Sequence, residues 1–360
     1  MPILSNARPK EKTMKKLIHL SLLTICLLVA DFSVASAKTY KIAWSHYTGW
    51  EPWAYAQDHG ILKKWGDKYK IAIELSAPMD YIESINLYTS GAYDACVMTN
   101  MDALTIPAVG GVDSTALIVG DFSNGNDGIV STEATDIKGL KGKSGLLVEL
   151  SVSHYLLSRA LDKNGMSERD LTLVNTSDAD IAAVYTANPH GFAVTWNPLL
   201  MQIMNIPGAN LLFDSSQIPG EIIDLTVVRT DAPLELKKAL TGAWFETMSI
   251  MSGRGPQANE AIDFMAKTAG ATPAEFKAQL KTTAMFYQAR DAVEFTNSPE
   301  LEKTMDLVRT FSFDKGLYAG ASSKDYVGIS FPNGKTLGDP KNIKLRFDSS
   351  IMDLAAKGQL

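Results

Sequence analysis

ALIVGDFSNGNDGIV, residues 116–130, decides how the chain is organised. Ala116 to Val119 is apolar, Gly125 to Gly128 is polar and glycine-rich, and Ile129 opens a new apolar run. Short apolar runs punctuated this way read as strands, and the polar link between them as a crossing from one layer to another. A second change of this kind falls at Pro219 to Asp224, after which Leu225 to Arg229 is apolar again. Two crossings divide the chain into one lobe of residues 38–124 with 225–360 and a second of residues 125–224.

Outward from these crossings, short apolar runs alternate with amphipathic stretches, the pattern of an α/β fold with mainly parallel sheets. Tyr40 to Ser45, Ile71 to Leu75, Tyr93 to Met98 and Ala116 to Val119 read as strands of the first lobe. Ser144 to Leu150, Leu171 to Asn175, Gly191 to Thr195 and Asn210 to Phe213 read as strands of the second. Pro52 suits the first turn of a helix running to Lys64, because its missing N–H has no intrahelical acceptor there anyway. From Pro233 the pattern is mostly helical, over 234–251, 259–268, 273–286 and 299–310.

The N-terminal stretch reads as an export signal. Lys15 and Lys16 precede an apolar run from Leu17 to Ala30, and Ala35-Ser36-Ala37 gives a cleavage pattern that would leave Lys38 first. Met14, directly before the lysines, is a second candidate start beside Met1. The run is shorter than the roughly 20 residues a spanning helix needs. Removing residues 1–37, with five Lys/Arg and two Asp/Glu, leaves 323 residues with 29 basic and 38 acidic side chains, a net charge of about −9. Such an acidic chain is a poor nucleic-acid binder, since phosphates need concentrated positive charge. Only Cys96 would remain, which excludes an internal disulfide and any cysteine-based metal site.

No catalytic or phosphate-binding motif is present, and His46, His59, His154 and His190 are scattered singly. The chemistry instead lies in an unusual charge pattern. From Ile71 to Ile137 there is no Lys or Arg, while ten Asp/Glu occur. Several stand where strands give way to helices or loops, the place where α/β folds build ligand sites. Asp80 follows the second strand, Asn100 and Asp102 the third, Asp121 the fourth; Glu149 ends a strand of the second lobe, and Asp224 sits at the second crossing. Tyr47, Trp50 and Tyr81 flank these groups, and Trp196 follows an apolar strand opposite. Asp80 with Glu83 also fits a helix capping box. Carboxylates beside aromatic faces suit a cation, and a planar guanidinium needs paired acceptors that carboxylates supply.

Several fragments together resemble the periplasmic binding proteins of nitrate, sulfonate and taurine importers. They are YTGWEPW at 47–53 followed by A-x-x-x-G-I-L at 56–62, SGAYDA at 90–95, DIKGLKGK at 136–143, SVSHYLL at 151–157 and TWNP at 195–198. TNMDALTIPA at 99–108, GDFSNGNDGIV at 120–130 and LRFDSS at 345–350 are most similar to the branch encoded beside urea carboxylase-like enzymes. The resemblance implies a two-lobe, Venus-flytrap carrier with a helical C-terminal region. It implies guanidinium or urea as ligand; the stretch without bases independently favours guanidinium, and Tyr47, Trp50, Asp80, Asn100, Asp102, Asp121, Glu149, Trp196 and Asp224 are the candidates to hold it between the lobes. It further implies a periplasmic carrier that works with an ABC permease and ATPase, for which a monomer is the default; the lack of a catalytic or metal-binding motif gives an expectation of no cofactor, metal or enzymatic activity. A taurine, sulfonate or nitrate carrier, or an enzyme resembling those that form the thiamine pyrimidine, is the alternative.

Overall fold

The computed structural model describes Met1 and residues 38–360, so the leader reading lies outside the described residues apart from Met1. Residues Thr39–Leu360 form one compact unit. Its first half runs β1 (Thr39–Ala43), α1 (Glu51–Asp58), α2 (Ile61–Tyr69), β2 (Ala72–Leu75), α3 (Tyr81–Ser90), β3 (Ala95–Thr99), α4 (Asn100–Ala103), β4 (Ser114–Ser123), β5 (Asp127–Ser131) and β6 (Ser144–Leu147). Next come α5 (Val152–Lys163), β7 (Thr172–Asn175), α6 (Asp178–Ala187), β8 (Phe192–Trp196), α7 (Leu199–Met204), β9 (Asn210–Asp214) and β10 (Ile223–Arg229). The remainder is α8 (Leu234–Met251), α9 (Pro256–Thr268), α10 (Pro273–Leu280), β11 (Thr283–Met285), α11 (Ala289–Thr296), α12 (Pro299–Asp314), β12 (Gly328–Ser330), β13 (Thr336–Leu337), β14 (Ile343–Phe347) and α13 (Ser350–Ala356).

Two sheets result. Sheet I has nine strands in the order β13-β12-β14-β4-β10-β3-β1-β2, with β11 added beside β4; sheet II has five, in the order β7-β6-β8-β5-β9. Both are mixed rather than mainly parallel. β10 runs antiparallel to β3 and β4 on either side, and β5 runs antiparallel to β8 and β9. A strand arriving from the other sheet enters each centre in the reverse sense, which the spacing of apolar runs does not reveal. The central strands β3, β5 and β8 are buried along their whole length, as strands covered on both faces must be.

Some boundaries move, each for a local reason. The helix expected from Pro52 to Lys64 is two helices, because Gly60 adopts φ 70° between them, a conformation that costs glycine little. The second crossing ends earlier than its composition suggests: β10 begins at Ile223 and carries Asp224 in sheet I. The strand from Ser144 stops at Leu147; Leu150 takes a left-handed φ of 64°, and Ser151 caps α5 through its hydroxyl. The helix expected over 273–286 ends at Leu280 and gives way to β11, while β12 to β14 and α13 were not anticipated.

The C-terminal helices brace sheet I. Leu236, Ala239, Leu240, Ala243, Trp244, Met248 and Met251 recur at helical spacing along α8 and are all buried. Trp44, Trp53, Tyr88 and Trp244 are among the largest fully buried side chains, and the Trp53 and Trp244 rings lie 5.1 Å apart. Among the described residues no helix is long and apolar enough to cross a membrane.

Candidate functional site

Where the two sheets meet, strand ends and two loops converge on a small cavity lined by Tyr47, Trp50, Tyr81, Thr99, Asp127, Val152, Trp196, Ile222 and Asp224. Sheet I supplies its floor. In the β10 ladder Asp224 lies opposite Thr99 of β3 on one side and Asp121 of β4 on the other. Sheet II supplies Asp127 and Trp196, which face each other across the first rung of the β5–β8 pair. Asp127 follows Asp121 by one short crossing, so the chain itself holds the two carboxylates near one another. About 10 Å³ of the cavity is open to the centre of a water-sized molecule, on the scale of roughly 10–15 Å³ that one water needs.

Aromatic rings make the walls. Tyr47 and Trp50 lie 5.0 Å apart, Trp50 and Tyr81 5.6 Å, and Tyr81 and Trp196 5.5 Å in edge contact. Contacts between the two halves hold this arrangement shut. Trp196 Nε1 donates to the His46 carbonyl at 3.1 Å, and the Thr48 N–H donates to the Asn197 carbonyl at 3.4 Å.

The carboxylates are the unusual feature. Asp121 is fully buried, Asp224 is 2% exposed and Asp127 3%. Tyr47 Oη donates to Asp121 Oδ1 at 3.2 Å. Oδ2 of Asp121, Asp127 and Asp224 has no hydrogen-bond partner, while Asp121 and Asp224 face each other and share the Tyr47 hydroxyl. Burial pushes Asp121 and Asp127 up to about 7. Burial and then the neighbouring Asp121 charge raise Asp224 further, so within the pair Asp224 keeps the proton and donates it to Asp121. No Lys, Arg or His lines the cavity. Buried polar atoms without partners are rare, and a group of them around one cavity points to a guest. Trp50 Nε1 is a further buried atom without an acceptor.

Gly49 is what lets Asp121 approach. A Cβ there would fall 2.5 Å from Asp121 Oδ2 and 2.6 Å from the Tyr47 ring, closer than real contacts allow.

Of the residues singled out from sequence, Tyr47, Trp50, Trp196 and Asp224 line the cavity and Asp121 stands against it. Asp102 lies just behind the wall, accepting from Tyr81 Oη at 2.6 Å and Thr99 Oγ1 at 2.8 Å, with burial raising it to about 6. Three others do not reach the cavity. Asn100 spends its amide on the backbone of the second crossing, accepting from the Ile223 N–H and donating to the Glu221 carbonyl. Asp80 caps α3 through the Glu83 N–H and accepts from Ser177, so the capping reading describes it. Glu149 is swung outward by the turn after β6 and shares an open surface groove with Asp80. Asp127, Tyr81, Thr99, Val152 and Ile222 line the cavity without having been singled out as ligand residues. Asp127 opens β5 within a glycine-rich stretch of sequence, where an acid ordinarily reads as solvated; its signal is its place in the long stretch without bases.

No family model matches the chain and no curated protein matches it. Among solved structures, it is similar to the alkanesulfonate-binding protein SsuA of Xanthomonas axonopodis pv. citri bound to MOPS, at 15% identity over 79% of this chain and 95% of that one, TM-score 0.63. It is also similar to the periplasmic aliphatic sulphonate binding protein SsuA of Escherichia coli, at 16% identity over 78% and 94%, TM-score 0.62. A Candida albicans protein described as having the generic periplasmic binding protein fold matches at 15% identity over 78% and 93%, TM-score 0.58. At these identities the likeness shows the fold: this chain has the periplasmic binding protein architecture.

Proposed function

We propose that a protein of this architecture serves here as the extracytoplasmic solute-binding component of an ABC importer, and that its cavity takes guanidinium. One observation carries the ligand reading: three buried carboxylates with no donor for Oδ2 border an aromatic-walled cavity that no base lines. A guanidinium brings N–H donors in a plane and a positive charge, which are what those oxygens lack. The surrounding ring faces add about 0.5 to 2 kcal/mol of cation–π attraction as water is removed. A sulfonate or nitrate would meet carboxylates at close range with no compensating base, so the ligands named for the SsuA structures suit this cavity poorly. Neutral urea is the second reading, favoured by Trp50 Nε1, a buried donor without an acceptor.

Export rests on the leader pattern before Lys38, and the permease and ATPase partners on the carrier role itself. A carrier that presents both lobes to a permease works as a monomer. The reading as a carrier rather than an enzyme rests on the scattered histidines and on Cys96, which is buried in β3 away from the cavity. Isothermal titration against guanidinium, urea, taurine and nitrate tests the ligand. Guanidinium is expected to bind at least about tenfold more tightly than urea, a difference of about 1.4 kcal/mol, with no heat from the two anions. Taurine or nitrate binding without a guanidinium response would overturn the cation reading.

A further inference from the structure

Resting on that reading of the cavity, we propose that Asp121, Asp127 and Asp224 form a charge gate at the hinge, so that the two halves close only when a cation or protons neutralise the three carboxylates. The gate is built into the crossing. Asp121 near the end of β4 and Asp127 at the start of β5 flank it, and Asp224 at the start of β10 enters from the return crossing. Opening about such a hinge would leave these groups near one another but wet. Closing lowers Trp196 of sheet II and Val152 of α5 over them and strips that water away. Removing hydration from an ionised carboxylate costs several kcal/mol unless a counter-charge replaces it. Here no counter-charge belongs to the chain. Asp224 and the Tyr47 hydroxyl act on Asp121, and the Ser123 hydroxyl, Asp121 and Asp102 act on Asp127, none of them a base. Tyr287 also faces Asp121, and Tyr81 stands on Asp102. The closed, empty cavity is therefore compatible with protonated carboxyls, and a cation would take the place of those protons.

A second acidic pair at the rim must be separated from the gate. Asp80 of the sheet I half and Asp178 of the sheet II half are hydrogen-bonded to each other, Asp178 also accepts from the Tyr81 N–H, and His46 with its partner Glu51 lies nearby. Burial raises Asp178 to about 7 as well.

Small-angle scattering of the ligand-free protein from pH 5.5 to pH 9 reads the gate directly. The radius of gyration is expected to increase as pH rises through about 7 and to return to the low-pH value at pH 9 on adding millimolar guanidinium. In Asp127→Asn, which keeps shape and removes one charge, most of that pH step is lost, whereas Asp178→Asn retains it. Asp224→Asn serves the same purpose if the first variant does not fold by thermal melt. A wild-type radius unchanged between pH 5.5 and 9, or a step abolished by Asp178→Asn and kept in Asp127→Asn, would overturn the gate. If the pH step is present but guanidinium neither binds nor restores the compact form, the proton gate stands and the ligand assignment fails.

Discussion

At the scale of single residues, the site depends on one absent side chain as much as on those present. Asp121 and Tyr47 occupy the space that a Cβ on Gly49 would need. In Gly49→Ala either the carboxylate or the ring must move, and overpacking of this kind costs about 1–3 kcal/mol. The expected result is a loss of guanidinium affinity of at least about tenfold, larger than the effect on the thermal midpoint alone would explain. Titration and melting of the same sample separate the two, and an unchanged affinity would show that Asp121 does not need its observed position. Asp127 shows what sequence cannot see at this scale. Its neighbours Gly125, Asn126 and Gly128 make a solvated turn the natural reading, yet the fold places it 3% exposed beside two other acids. Burial of a charge is decided by which distant strands arrive, and nothing local encodes that.

Elements are more legible where their burial is simple. β3 and β8 are apolar and buried throughout, and α8 shows its helical stripe over the whole range expected for it. β12 and β13, at one end of sheet I, are only three and two residues long, too short for a periodic signal. The junction between β6 and α5 differs for a definable reason: Val148 and Leu150 flank Glu149 with the alternation of a strand, but Leu150 turns the chain with a left-handed backbone. A non-glycine residue there costs roughly 1–2 kcal/mol, and glycine returns up to about 1 kcal/mol of that as chain entropy. Leu150 is 47% exposed, so its side chain contributes little packing. Leu150→Gly is expected to raise stability by about 0.5 kcal/mol, read from the urea midpoint at constant slope. A lower midpoint would mean that the leucine's place in the groove it lines outweighs the strain.

For the whole molecule, the buried acids set how stability follows pH. Asp102 at about 6, and Asp121, Asp127 and Asp178 at about 7, hold protons that the unfolded chain releases near the ordinary value of about 4. Their contribution is complete below that ordinary value and is lost as pH rises through 6 to 7. Glu168 acts in the opposite direction. Its burial is outweighed by hydrogen bonds from His154 and Lys315, which hold it at about 2, so its contribution is lost only as pH falls below about 4.5. Calorimetry without ligand should therefore find the highest melting temperature near pH 5 and a steady fall to pH 8. A flat or rising profile over that interval would show that the acids are hydrated in the ligand-free protein. The α/β class was legible in the sequence because short apolar runs and amphipathic stretches alternate locally along the chain. Strand direction was not, because it depends on which gap in a sheet the returning chain fills. Finally, Cys96, the free cysteine of the described residues, is fully buried in β3, and burial pushes its thiol up to about 12. Thiolate, the form that oxidants and soft metals attack, is thus scarce and walled off. Among the described residues there is thus neither a disulfide to reduce nor an accessible thiol to form one.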